Sequence, residues 1–234
     1  MSKKRQKSGS DKSFTLKKIE PKTPSQIEMV EEYGKDFNLV LHGVAGTGKT
    51  FLSLWLGLKD VLAGNYEKVI IIRSEVSSRP TGFLPGDPIE KASVYEEPYI
   101  ELCSELFGRG DIYGILKSKL MLEFRTTSYL RGKTLRDAVV IVDEIQNMNF
   151  EELETVITRM GPNCRVIFCG DLDQNDLHRN KYDQSGLPQF LDIIENCESF
   201  SFVEFFEEDI VRSGIVKEWI MAKIAYLDQQ DVPR

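Results

Sequence analysis

Apolar positions in this chain fall in short continuous blocks. "FNLVLH" (37–42), "KVIIIR" (68–73), "AVVIVDE" (138–144) and "RVIFCGD" (165–171) place apolar residues at successive positions. An extended chain with that pattern is apolar on both faces, as a strand covered on each side must be. "LMLEFRT" (120–126) is a weaker strand of the same kind, and "SFSFVEF" (199–205) is the last. Between them the period becomes helical. Pro24 and Ser25 start a helix over "SQIEMVEEYG" that Gly34 closes, and a second helix from Lys49 to about Leu62 is apolar nearly all round and stops at "AGN". In "DPIE", Asp87 caps, Pro88 takes the first helical position and Glu90 completes a capping box, opening a helix that runs to about Phe107. "NFEELETVITRMGP" has Asn149 and Glu152 in cap positions and Leu153, Val156, Ile157 and Met160 on one face. A short helix over "LPQFLDIIEN" and a closing helix with Ile215, Trp219, Ala222 and Tyr226 on one stripe complete the series. Strands alternating with helices predict an α/β fold with a central, mostly parallel sheet and helices on both faces. The chain has no internal repeat and no clean linker, so a single domain over residues 23–234 is expected behind a flexible basic tail, residues 1–22.

Composition narrows the class. A chain of 234 residues with 41% apolar and 29% charged residues fits a soluble globular protein. It has no run of about 18 apolar residues, and "MSKKRQKSGSDK" lacks the apolar core of a secretory signal, so a cytoplasmic location is expected and no membrane contact. Cys103, Cys164, Cys169 and Cys197 form no CxxC pair and read as small apolar filler, and His42 and His178 are too far apart to argue for zinc. The net charge of −7 is uneven: eight of the 30 Lys/Arg and two of the 37 Asp/Glu fall in residues 1–22, giving +6 there and −13 beyond. The tail reads as a solvated segment whose cations can also neutralise phosphates, whereas the acidic body confines any nucleic-acid surface to a local patch.

The chemistry is carried by "GVAGTGKT", Gly43–Thr50, which matches G-x-x-x-x-G-K-[ST] between an apolar strand and an apolar helix. Gly43, Gly46 and Gly48 permit positive φ, so that the amides of Val44, Ala45 and Thr47 approach phosphate oxygens. The helix from Lys49 through Thr50 and Phe51 adds its unpaired amides and the positive end of its dipole. Lys49 is expected on the β- and γ-phosphates of ATP and the Thr50 hydroxyl on Mg²⁺. A partner acid is expected at the end of a second buried strand. Asp143 in "AVVIVDE" supplies it, to hold Mg²⁺ through water, and Glu144 is placed to orient or deprotonate an attacking water.

With these motifs the chain resembles a PhoH-type protein, a relative of the first motor domain of superfamily 1 helicases. The resemblance runs from about Thr23 to Tyr226 and rests on "TPSQ", "GVAGTGKT", "RP" followed by "GFLPGD", "YLRGKTLRDAVVIVDEIQN", "GDLDQ", "SGL" and "DIVR", in that order. It implies a RecA-like P-loop NTPase fold, in a short form without the additional N-terminal domain of longer members. It further implies that Gln26 reads the adenine edge, whose N7 and amino group match a carboxamide. Gln174 would sense the γ-phosphate, Asp171 would link it to the acid strand, and Gln146 would couple nucleotide to nucleic acid. Arg212 takes the position of the family's late arginine, where a guanidinium spreads over charge developing on the γ-phosphate. A salt bridge to Glu207, Glu208 or Asp209 is the alternative for that residue.

Longer helicases close a second motor domain over the nucleotide, so here Arg212 acts within its own subunit or a neighbour supplies an arginine. The resemblance points to a ring of identical subunits, a hexamer, acting on RNA or single-stranded DNA. "SSRPTGFLPGD" follows the second strand, where open α/β sheets bind ligands. Phe83 stacking on a base with Arg79 or Arg73 on phosphate, and a subunit contact in a ring, both fit this segment. Besides ATP hydrolysis, two other classes share the phosphate loop: a nucleotide-gated assembly module with little turnover, and a small-molecule kinase. The kinase lacks its arginine-rich lid here.

Overall fold

Alternation along the strands divides the molecule into two apolar layers. The computed structural model describes residues 14–74, 88–130, 132–171 and 186–230. In β1 (Asn38–Gly43), Leu39 and Leu41 pack into one core and Val40 into the other. The same split recurs in β2 (Lys68–Arg73), where Val69 and Ile71 oppose Ile70 and Ile72, and in β4 (Ala138–Asp143), where Val139 and Ile141 oppose Val140 and Val142. With β3 (Leu122–Thr126), β5 (Cys164–Cys169) and β6 (Phe200–Phe205) these form a sheet in the order β3-β2-β4-β5-β1-β6, every pairing parallel. This is the expected α/β, RecA-like architecture, with β5 between the strand leading to the phosphate loop and the strand bearing the acids.

One face is covered by α1 (Pro24–Gly34), α2 (Lys49–Ala63), α3 (Pro88–Phe107) and α4 (Ile112–Ser118), through side chains such as Met29, Leu52, Cys103 and Leu116. The other face is covered by α5 (Phe150–Arg159) and α6 (Leu187–Ile194), through Leu153, Val156, Phe190 and Ile194. The Asn149–Glu152 capping box forms at α5 with both reciprocal bonds, 2.9 and 3.0 Å. At α2 the chain stops at Gly64 in the left-handed conformation.

Two features depart from the sequence reading, and a third adds to it. The tail boundary lies earlier than residue 22: Phe14, Leu16 and Ile19 pack against the core, Lys17 N–H donates to Leu106 O (2.9 Å), and the Trp55 indole donates to Lys17 O (3.0 Å). Apolar residues spaced among the lysines anchor this stretch. The strand expected from Leu120 begins at Leu122, because α4, absent from the sequence reading, occupies the preceding residues and leaves Leu120 exposed with φ 59°. In α7 (Gly214–Gln230), Ile215, Trp219 and Tyr226 face solvent at 79%, 71% and 61% exposure. Among the described residues no helix is long and apolar enough to cross a membrane.

Candidate nucleotide site

A parallel sheet brings the carboxyl ends of its strands to one edge, and the chemistry-bearing residues gather there. β1 runs into the glycine loop, β2 ends at Arg73, β4 at Asp143 and β5 leads to Gly170 and Asp171. Together they line a cleft of about 500 Å³ that also receives Arg212.

The loop is held by backbone that no larger residue would allow. A Cβ on Gly43 (φ 107°) would lie 2.1 Å from Phe205 O, the same carbonyl that accepts the Val44 N–H at 2.9 Å. Gly48, at φ 89°, is the N-cap of α2 and turns the chain into the helix. Thr47 is fully buried and donates its hydroxyl back to Val44 O (3.0 Å). Ala45, Gly46 and Phe51 line the cleft. Lys49 Nζ donates to Gly43 O (2.9 Å) and Val44 O (2.7 Å), so the ammonium lies folded across the loop's own carbonyls. Burial pushes Lys49 below the usual lysine range, and the Asp171, Asp143 and Glu144 carboxylates oppose that shift.

Across the cleft, Thr50 Oγ1 donates to Asp143 Oδ1 at 2.8 Å, and the Tyr99 hydroxyl donates to Asp143 Oδ2 at 2.8 Å. The hard oxygens of Thr50 and Asp143 fit Mg²⁺, which takes few protein ligands and fills its shell with water and phosphate oxygens. Among the described residues there is no group of three or more His, Cys, Asp or Glu that could hold a metal ion. Glu144 follows with φ 57° and ψ 44°, a left-handed conformation that is rare away from glycine. Burial raises its carboxyl above the ordinary glutamate range and the Asp143 charge adds to this, while Arg73 and a hydrogen bond from Gln146 oppose it.

Gln146 joins two loops: Nε2 donates to Glu144 Oε2 (2.6 Å) and Oε1 accepts the Asp171 N–H (3.0 Å). Gln26 is buried against the phosphate loop, with Nε2 donating to Thr47 O (2.8 Å) and Oε1 accepting Lys22 N–H (2.8 Å). Its carboxamide thus braces the loop, and one N–H and one lone pair are uncommitted by these bonds. The Arg212 stem lies over the loop, its Cγ 2.9 Å from where a Cβ on Gly46 would stand, and the adjacent Val211 N–H donates to Gly46 O (3.2 Å). Among the described residues no ion pair joins Arg212 to Glu207, Glu208 or Asp209. Asp209 is fully buried and accepts instead from Ser25 Oγ (2.7 Å) and Phe206 N–H (2.8 Å). Gln174, Arg79 and Phe83 lie outside the described residues.

Tyr99 and Asp209 were missed in sequence. A tyrosine within α3 and an acid in an acidic run carry no local mark of their partners, which are 44 and 184 residues away.

A family model described as "PhoH-like protein" matches residues 18–224. The PhoH-like protein of Bacillus subtilis (strain 168) is 32% identical over 207 residues, covering 88% of this chain and 64% of that protein. Protein PhoH of Escherichia coli (strain K12) is 33% identical over 182 residues, covering 77% of this chain and 51% of that one. The chain therefore spans about half to two thirds of the length of these curated relatives. Among solved structures, the Sulfolobus solfataricus SWI2/SNF2 ATPase core in complex with dsDNA aligns with a TM-score of 0.47 at 13% identity, over 82% of this chain and 46% of that one.

Proposed function

The chain belongs to the family of PhoH-like proteins, and from that premise we propose that it binds and hydrolyses ATP with Mg²⁺, coupling turnover to RNA or single-stranded nucleic acid in a cytoplasmic ring of identical subunits, a hexamer. One observation carries the reading: a glycine loop opening a helix whose second residue, Thr50, meets Asp143 at 2.8 Å, with Glu144 next in the chain and lining the same cleft.

The loop amides and the N-terminus of α2 bind the triphosphate, and Lys49 exchanges its loop carbonyls for β- and γ-phosphate oxygens. Thr50 and Asp143 hold the Mg²⁺, which when bound neutralises charge on the β- and γ-phosphates. Glu144 takes a proton from the attacking water. Its raised basicity, relative to an exposed carboxylate, strengthens it as a base near neutral pH. Gln146 fixes that carboxylate and relays its position to Asp171. Arg212, in the same subunit as the loop, spreads its donors over charge developing on the γ-phosphate. Gln26 keeps the loop's shape and reads the adenine edge, and Gln174 senses the γ-phosphate.

Phosphate release measured with RNA, single-stranded DNA and neither, at fixed salt, tests the proposal. Lys49→Ala is expected to abolish turnover and Glu144→Gln to lower it by at least about a hundredfold while still binding ATP. Unchanged turnover in Glu144→Gln would remove the assignment of the base.

A second reading is supported by α7, which carries exposed apolar residues such as Ile215 and Trp219 and whose half-buried Ile220 reaches the loop, its Cδ1 3.4 Å from a Cβ placed on Gly46. ATP would then hold a ring together with little turnover. Particle size with and without ATP, set beside the hydrolysis rates, separates the two readings.

A further inference from the structure

Asp143 has both carboxylate oxygens engaged in this structure. Thr50 Oγ1 takes Oδ1, and the Tyr99 hydroxyl takes Oδ2, each at 2.8 Å. The phenol comes from α3, an element with no part in the glycine loop or the acid strand. Its side chain is almost wholly buried (1% exposed), so its hydroxyl cannot trade Asp143 for bulk water. Arg73 supports the same group. It ends β2 in register with Asp143 at the end of β4, stands beside the Tyr99 oxygen, and lies with its guanidinium carbon 5.9 Å from the Tyr95 ring centroid, one helical turn earlier on α3. A chain of contacts thus runs from α3, through Tyr99 and Arg73, to Asp143 and on to Thr50.

A carboxylate that holds a metal through water must present its oxygens in a fixed direction, and the partner that sets the direction contributes to metal affinity. Thr50 alone leaves the Asp143 carboxylate free to turn about its last bond, whereas a second donor on the far oxygen fixes the plane. We propose that Tyr99 is a positioning residue: by holding Asp143 Oδ2 it aims the Thr50–Asp143 pair at the metal position, and it makes the seating of α3 a condition of tight Mg²⁺ binding. The inference rests on the metal-dependent nucleotide reading above. The role proposed for Tyr99 is exerted through Asp143, whose Oδ2 it holds.

The experiment uses the full chain and a fluorescent ATP analogue. Analogue affinity is measured in EDTA and then over a series of free Mg²⁺ concentrations, for the wild type and Tyr99→Phe, with thermal melting in EDTA alongside. Tyr99→Phe keeps the ring and removes one oxygen. The expected result is unchanged affinity in EDTA, a melting point lowered by no more than the loss of one buried hydrogen bond, and about a tenfold rise in the Mg²⁺ concentration giving half of the metal-dependent gain. An unmoved Mg²⁺ midpoint overturns the proposal. A larger loss of melting temperature than one buried hydrogen bond accounts for, or weaker binding in EDTA, also overturns it, because the hydroxyl would then be serving the fold. If the wild type shows no metal-dependent gain, the underlying reading fails and the proposal goes with it; failure of Tyr99→Phe in a responsive wild type removes the proposal alone.

Discussion

Glu144 concentrates the tension of the site in one residue. It adopts a left-handed backbone with a β-carbon, lies beside Asp143, and keeps its charge against burial with help from Arg73 and the 2.6 Å bond from Gln146. The base proposed above must be ionised to act, and this carboxyl is raised above its ordinary range. Turnover should therefore fall as pH drops through a midpoint above the roughly 4.3 of an unperturbed glutamate. Gln146 favours the ionised form, so Gln146→Leu should move the acid limb of kcat to still higher pH. A profile of kcat from pH 5 to 8 checks this, and a limb that stays in place with Gln146→Leu would show that the bond does not set the base's ionisation.

At the scale of elements, the buried Asp209 joins the start of α1 to the turn before Arg212. Burial works against its charge, but the hydrogen bonds from Phe206 N–H and Ser25 outweigh it and hold the carboxyl below the usual aspartate range. Asp209→Ala leaves a buried hydroxyl and two N–H groups without their acceptor and should cost about 1–3 kcal/mol. Melting curves should show a loss of several degrees. A depressed carboxyl stabilises the fold above its unfolded value of roughly 3.9 and loses that contribution as pH falls through the lower folded value, so the gap between wild type and variant should narrow only in strong acid. Such ties explain what the sequence could and could not reveal. β2, β4 and the Asn149–Glu152 box were legible because each is written in consecutive residues. So was the glycine loop, whose geometry follows from local φ preferences. α4 was not, since seven residues give a helical period too few repeats. The Tyr99–Asp143 and Ser25–Asp209 bonds were hidden because each forms only after distant elements dock.

At the scale of the whole molecule, α7 carries a stripe of large apolar side chains that is exposed among the described residues. Ile215, Trp219, Ala222 and Tyr226 share one stripe of the helix, and all four are exposed. Large apolar side chains exposed together on one helix mark a contact surface more often than they decorate a monomer. A ring in which α7 meets a neighbour would cover them and set that contact beside the cleft, close to Gly46 and Arg212. The two tryptophans allow a direct reading of this idea, because Trp55 is buried at 7% exposure while Trp219 is open at 71%. On assembly the emission should shift to the blue, and the shift should come from Trp219 alone. Trp219→Phe should abolish the spectral change while sedimentation still reports the larger particle. Ile215→Asp with Trp219→Asp should hold the chain as a monomer with its helical circular dichroism intact. Assembly that proceeds in the double variant would move the subunit contact away from α7, and with it the link between ring closure and the nucleotide cleft.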